Sequence, residues 1–124
     1  MSYRTPLGRV RGLGSAKGGT HHWWMQRLTA VALVPLTVWF ILSLITLSGA
    51  DHETAAAWLA SPLPAVLMIL LIIATFHHLQ LGLQVIIEDY VHGEGMKLAC
   101  IIGVKLVSFA LAVAAGFAVL KVAF

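Results

Sequence analysis

Three long apolar runs, separated by short polar stretches, dominate the chain from residue 28 onward. They cover residues 28–48, 63–87 and 98–122. A helix needs about 20 predominantly apolar residues to cross a hydrocarbon core, and each run is long enough. No strand-like alternation of polar and apolar positions competes with this interpretation, and a helix satisfies its own backbone hydrogen bonds in lipid. The pattern predicts an all-α integral membrane protein with three transmembrane helices.

The composition agrees with a bilayer as the solvent. Of the 124 residues, 60% are hydrophobic and 10% are charged, and the mean hydropathy is +0.92. A soluble domain of this length needs more polar surface. We expect residues 1–26 to form a basic arm with an interfacial segment, and residues 27–124 to form the membrane anchor. No extramembrane segment is long enough to fold alone, so soluble chemistry must come from other chains; we expect no nucleic-acid partner.

Charge asymmetry predicts the orientation. The stretch before the first run contains only basic charges, at Arg4, Arg9, Arg11, Lys17 and Arg27, whereas the loop after it has no Lys or Arg. The positive-inside rule therefore puts the N-terminus inside and the C-terminus outside. The arm lacks the short apolar core of a secretory signal, so we expect no cleavage there and favour a bacterial inner membrane, with a mitochondrial inner membrane as the alternative. Such an arm suits anionic lipid or a soluble partner.

Two adjacent histidines, His77 and His78, lie deep inside the second run. A neutral imidazole in hydrocarbon needs a polar partner. Three interpretations follow: a hydrogen bond to a neighbouring helix, a proton relay, or axial ligation of haem iron. Helical spacing places His78 between the small residues Ala74 and Gly82, which leave a slot for a porphyrin plate, whereas the corresponding neighbours of His77 are bulky. We therefore expect His78 to be the better haem ligand and His77 to be a hydrogen-bonded packing residue.

Polar residues also precede the first run and follow the second. Asp89 and Tyr90 follow the second run; they suit a solvated helix end, or a site where the Tyr90 hydroxyl holds a quinone carbonyl and Asp89 handles protons. Arg27, with His21 ahead of it, precedes the first run. Arg27 either extends to the headgroups or holds an anionic group such as haem propionates.

The third run contains small residues at four-residue spacing, Ser108, Ala112 and Gly116. They lie on one helix face and allow close approach of a helix, either from this chain or from a partner. Lys105 lies in the same run, where it either extends toward the membrane surface or pairs with an acidic group.

The spacing His78, ten residues, then Asp89 and Tyr90 on the second of three spans, with His21 and Arg27 before the first, resembles the small membrane-anchor subunit of succinate dehydrogenase, respiratory complex II. The resemblance covers nearly the whole chain in length, span count and orientation. The spaced His–Asp–Tyr pattern is its most specific part, and Lys105 has no counterpart in it.

The resemblance implies a role for each matching residue. His78 is implied to be one axial ligand of the iron of haem b, paired with a histidine of the larger cytochrome b anchor subunit. Arg27 and His21 are implied to lie near the haem propionates, and Tyr90, supported by Asp89, to bind ubiquinone. Electrons are implied to come from succinate through a flavoprotein subunit and an iron–sulfur subunit, so this chain carries no catalytic residue for succinate oxidation.

Two rival functions remain at this point. One is a fumarate reductase anchor that uses menaquinone, with related chemistry in the opposite direction. The other is a haem-free structural or transport subunit, whose histidines form hydrogen bonds between helices.

Overall fold

The computed structural model describes residues 17–124. Arg4, Arg9 and Arg11, on which the predicted orientation partly rests, lie outside the described residues, as does most of the predicted arm. The described chain forms four helices and no strand: α1 (Lys17–Leu47), α2 (His52–Ala60), α3 (Pro62–Tyr90) and α4 (Glu94–Ala123).

The three long helices are apolar and long enough to cross a membrane, which confirms the predicted all-α fold with three spans. Each helix starts before its apolar run, and α1 extends furthest because nothing between residues 17 and 28 breaks the helix. That additional part of α1 carries Trp23 and Trp24, whose rings meet edge to face with centroids 5.4 Å apart. Such residues are typical of the membrane–water interface. The inside–outside orientation remains a prediction.

The short helix α2 was not predicted. Asp51 caps it, accepting a hydrogen bond from the Thr54 backbone N–H at 2.8 Å on Oδ1. Glu53 in the first turn favours the same helix end through the helix dipole. The hydrogen bonds from Thr54 lower the pKa of the Asp51 carboxyl below its ordinary value of 3.8. The hydropathy pattern indicated a loop here, and Asp51 and Glu53 were the available signals for a helix.

Replacing Asp51 with Ala is expected to speed amide hydrogen exchange across α2, because the cap's acceptor is lost. Since the pKa is lowered on folding, the stabilisation is present above the ordinary pKa and disappears as the pH falls through the lowered one. Asn at this position caps without titrating, so Asp51→Asn should keep the protection and remove its dependence on acid. Equal exchange in the wild type and the Ala variant would contradict this role.

The helices are arranged around α3. Both α1 and α4 pack on α3, and α2 packs on α3 and α4. The indole of Trp58 in α2 also stacks on that of Trp39 in α1, with centroids 5.8 Å apart and planes 20° from parallel. We call the end of the bundle that contains α2 the distal end. The opposite end, which contains the start of α1, the end of α3 and the start of α4, is the proximal end.

Little of the described chain is enclosed. Its buried apolar residues are Ala65, Ala74, Leu81 and Val119, and no large side chain is fully buried. These residues lie where the helices approach closely, as expected when helices in lipid associate through packing of small residues. Most apolar side chains therefore face lipid or other proteins.

Candidate functional site

His78 is held by a hydrogen bond between two spanning helices. Its Nδ1 lies 2.9 Å from the Oγ1 atom of Thr29, which α1 places opposite the middle of α3. Thr29 is only 7% exposed, so this polar contact is shielded from water and lipid. A deep imidazole thus has the polar partner that a low-dielectric environment requires.

The other contacts of Thr29 indicate the tautomer of His78. The Thr29 hydroxyl points its single hydrogen at α1 carbonyl oxygens, Met25 O at 2.7 Å and Gln26 O at 3.1 Å. These contacts favour Thr29 as the acceptor toward His78, with the imidazole donating from Nδ1. A neutral imidazole protonated at Nδ1 has its lone pair on Nε2. Metal-ligating histidines usually donate their second ring N–H in this way, so the His78 environment fits axial ligation.

The expected slot beside His78 is occupied by α1. Ala74 is 7% exposed and faces Thr29 and Ala32 of α1 across a small apolar cavity. At Gly82, an added Cβ would lie 3.8 Å from Nε2 of Gln26. The small residues thus allow α1 to approach α3. Helix α1 covers much of the helix face they share, and their role in providing room for a porphyrin plate remains a prediction.

His77 lies on a different face of α3, and its contacts differ from those expected. Its Nε2 is buried without a hydrogen-bond partner among the residues that the structure describes, whereas the interhelical hydrogen bond belongs to His78. His77 lines an open groove of ≈ 970 Å³ that runs along α3 between α1 and α4. The two neighbouring imidazoles therefore differ in hydrogen bonding, although His77 also lines the small cavity beside Thr29 and Ala74.

A row of polar side chains follows the floor of this groove toward the proximal end. Gln80 Nε2 donates to Gln84 Oε1 at 3.3 Å, and Gln84 Nε2 donates to Glu88 Oε1 at 3.1 Å. Four-residue spacing places the three on one face of α3. These side chains, together with Lys105 and Ser108 from α4, make the groove polar over part of its length.

The structure does not bring Arg27 or His21 into contact with His78 within the described residues. The guanidinium carbon of Arg27 lies 4.4 Å from the centroid of the Trp23 ring, a cation–π contact. Arg27 is about 200° around α1 from Thr29, so it faces away from α3. His21 lines the groove. Their predicted position near haem propionates remains a prediction.

Asp89 and Tyr90 end α3 at the proximal surface. The eleven-residue step from His78 to Asp89 is close to three helical turns, so both lie on the same side of α3, about 16 Å apart along its axis. Both side chains are exposed, and that of Tyr90 is 76% exposed. Its phenol is available to a ligand or to another chain.

Sequence reasoning missed Thr29, Gln80 and Gln84. The spacing of Gln80, Gln84 and Glu88 was a usable signal, because polar residues four apart share a helix face. Thr29 offered a weaker one, since a threonine in a spanning helix often bonds only its own backbone.

Within the described residues, no three His, Cys, Asp or Glu side chains come together to hold a metal ion. Axial ligation of haem iron by His78 remains a prediction.

Comparison with known proteins connects these features to one family. Residues 1–112 match the family described as the succinate dehydrogenase/fumarate reductase transmembrane subunit. A succinate dehydrogenase hydrophobic membrane anchor subunit from Rickettsia bellii is 33% identical over 106 residues, covering 86% of this chain and 85% of that protein. The protein of that name from Paracoccus denitrificans is 36% identical over 104 residues, covering 84% of this chain and 81% of its own length. No solved structure matches this chain significantly.

Proposed function

The chain belongs to the succinate dehydrogenase/fumarate reductase transmembrane-subunit family, and we propose from this premise that it helps to bind haem b and forms part of a ubiquinone-reduction site. As a membrane anchor it is one part of an enzyme complex. The proposal includes a bacterial inner membrane as its location, with the N-terminus inside. It assigns succinate oxidation to partner flavoprotein and iron–sulfur subunits.

The hydrogen bond between Thr29 and His78 carries the haem part of the proposal. It holds the ring orientation and leaves the Nε2 lone pair free for iron, and a histidine of the larger cytochrome b anchor subunit would supply another ligand. When bound, haem b supplies a one-electron carrier within the membrane. The residues of this chain hold the imidazole in the neutral, Nδ1-protonated form that iron requires.

Replacing Thr29 with Val is expected to weaken haem binding about 10- to 100-fold, the usual effect of losing a hydrogen bond behind a metal-ligating histidine. Valine keeps the shape of threonine but removes the acceptor, so the ring can rotate and change tautomer. The measurement is the haem-to-protein ratio of the purified complex during haem depletion, together with the reduced-minus-oxidised spectrum.

Thr46→Val provides the matched control for this substitution. Thr46 also lies on α1 and donates to the carbonyl of the fourth preceding residue, at 2.9 Å, but it is exposed and its recorded bond is to the backbone alone. The Thr46→Val substitution should leave haem binding unchanged. Equal haem affinity in the Thr29 and Thr46 variants would show that the Thr29 hydroxyl does not prepare His78 for iron.

The quinone part of the proposal rests on Tyr90 and Asp89. Tyr90 presents a neutral phenol at the proximal surface, where a quinone ring can stay in contact with lipid while its carbonyl accepts a hydrogen bond. Asp89, exposed on the same turn, is positioned to take protons from water. Reduction to the quinol consumes two electrons and two protons, and these residues bind the carbonyl and deliver the protons.

The direction of the reaction is also part of the proposal. The family description covers both succinate dehydrogenase and fumarate reductase, whereas the two relatives described above bear only the dehydrogenase name. We therefore favour succinate oxidation with ubiquinone over fumarate reduction with menaquinone. Purifying the native complex and identifying its chains, pigment and quinone tests this choice directly; a colourless complex containing menaquinone would contradict it.

A further inference from the structure

The groove between α1 and α4 includes His21, the predicted neighbour of the haem propionates, but it is not lined by His78, Asp89 or Tyr90, and it has two chemically different halves. Its proximal half is lined by His21, His22, Gln84, Glu88 and Lys105. Its distal half is apolar, with lining residues that include Ile69, Phe109, Val113 and Gly116. A ligand that fills it must therefore have a polar end at the proximal membrane surface and a long apolar part.

The dimensions favour one lipid-sized molecule over a protein helix. A volume of ≈ 970 Å³ is near the upper end of the roughly 300–1,000 Å³ found for small-molecule sites. From Glu88 to Ile69 the groove follows α3 for about 28 Å. One leaflet of a bilayer is about 20 Å thick with its headgroups, so the groove is long enough for a headgroup and an extended acyl chain.

The charges indicate what the polar end must carry. Lys105 lies about 16 Å along the axis from the start of α4, and side chains in a helix lean toward its N-terminus, here the proximal end. Among the described residues that line the groove, Glu88 provides the only carboxylate, and it already accepts a hydrogen bond from Gln84. A cation within a membrane span requires an anionic partner.

A second observation points to the same kind of group. Within the described part of the chain, the Nε2 atoms of His22 and His77 are both buried without a hydrogen-bond partner, and both histidines line the groove. His22 lies in the proximal half, close to the level of Gln84. A phosphate carries the charge that neutralises Lys105, and it can also accept from His22 once that ring turns its Nε2 toward the groove, whereas a quinone carbonyl has no charge with which to neutralise Lys105. Basic pockets between spanning helices are a known way to bind lipid headgroups.

We propose that this groove binds a glycerophospholipid of the proximal leaflet, with its phosphate at Lys105 and His22 and one acyl chain along Phe109 and Gly116. The site gives a function to Lys105, which the family resemblance leaves unexplained. Ala112 and Gly116 also line the groove, and an added Cβ at Gly116 meets nothing within 4 Å among the described residues. Their small size therefore leaves space that the acyl chain fills.

The test is the phospholipid retained by the intact complex after extensive washing in mild detergent, measured by phosphorus assay and mass spectrometry. Lys105→Met removes the charge and keeps the length of the side chain, so binding should weaken roughly tenfold or more, as for loss of a charge-assisted contact. Gly116→Leu should release the same lipid, because its side chain fills the apolar half of the groove.

Two control variants separate the groove from general effects on α4. Lys121→Met removes a cation, and Gly103→Leu adds a side chain where a Cβ meets nothing within 4 Å; neither residue lines the groove. The proposal predicts full lipid retention in both controls and unchanged assembly in all four variants. Unchanged lipid in Lys105→Met and Gly116→Leu would overturn it. So would loss of a quinone in place of phospholipid, or loss of a partner chain from Gly116→Leu, since the groove would then be a quinone site or a subunit interface.

Discussion

A complex carrying His78→Ala is expected to lose its b-type haem, while the same complex carrying His77→Ala keeps it. Haem binding should fall by more than the roughly 10- to 100-fold expected for a substitution behind the ligand, because the iron–nitrogen bond itself is removed. The haem-to-protein ratio and the pyridine haemochrome spectrum measure this effect, and co-purification of the partner chains shows whether the complex assembles.

The neighbouring histidines make this comparison a sharp one. They have the same chemistry and nearly the same depth, but Nδ1 of His78 is hydrogen-bonded to Thr29 whereas the buried Nε2 of His77 has no partner among the described residues. Loss of haem from His77→Ala alone would assign the iron to the face of α3 that lines the groove. Loss from neither variant would remove haem ligation from this chain.

Replacing Tyr90 with Phe is expected to reduce kcat/KM for ubiquinone about 100-fold, comparable to the loss of one hydrogen-bond donor to a developing oxyanion. Phenylalanine keeps the ring and removes only the O–H. Because the Tyr90 side chain is 76% exposed in this chain, loss of its hydroxyl should not destabilise the fold. The measurement is succinate-dependent quinone reduction with purified complex.

An assay with a soluble dye that takes electrons before the quinone site is the internal control. Dye reduction and the haem spectrum should match those of the wild type, so that the defect is confined to the quinone step. Full quinone turnover in the Phe variant would show that the Tyr90 hydroxyl does not bind the carbonyl.

Hydropathy predicted the three spans because bilayer thickness sets the length of an apolar helix, and that constraint acts on each segment independently. Helix α2 was missed because a short helix at a membrane surface needs little apolar sequence, and the capping contact from Asp51 to Thr54 is its main local signal. Length and hydropathy thus predict which segments form spanning helices, because that property depends on each segment by itself.

Relations between helices were harder to predict. Periodicity showed that Ala74, His78 and Gly82 share a face, but it could not show that α1 covers that face. The partnership of Thr29 with His78 depends on how far α1 slides along α3, and the groove depends on α1 and α4 packing on different sides of α3. The relative positions of helices, and not their individual sequences, determine these features.

The packing of α2 at the distal end also has a mechanical consequence. Helix α2 contacts α3 and α4 and stacks on α1 through Trp58 and Trp39, so one short segment fastens all three spans at that membrane surface. At the other surface, the 91–93 connection joins only α3 and α4. Judged from the described residues, we expect the bundle to be stiffer at the distal end than at the proximal end, so that thermal motion widening the gap between the outer helices is greatest where an amphiphile arrives from the proximal leaflet.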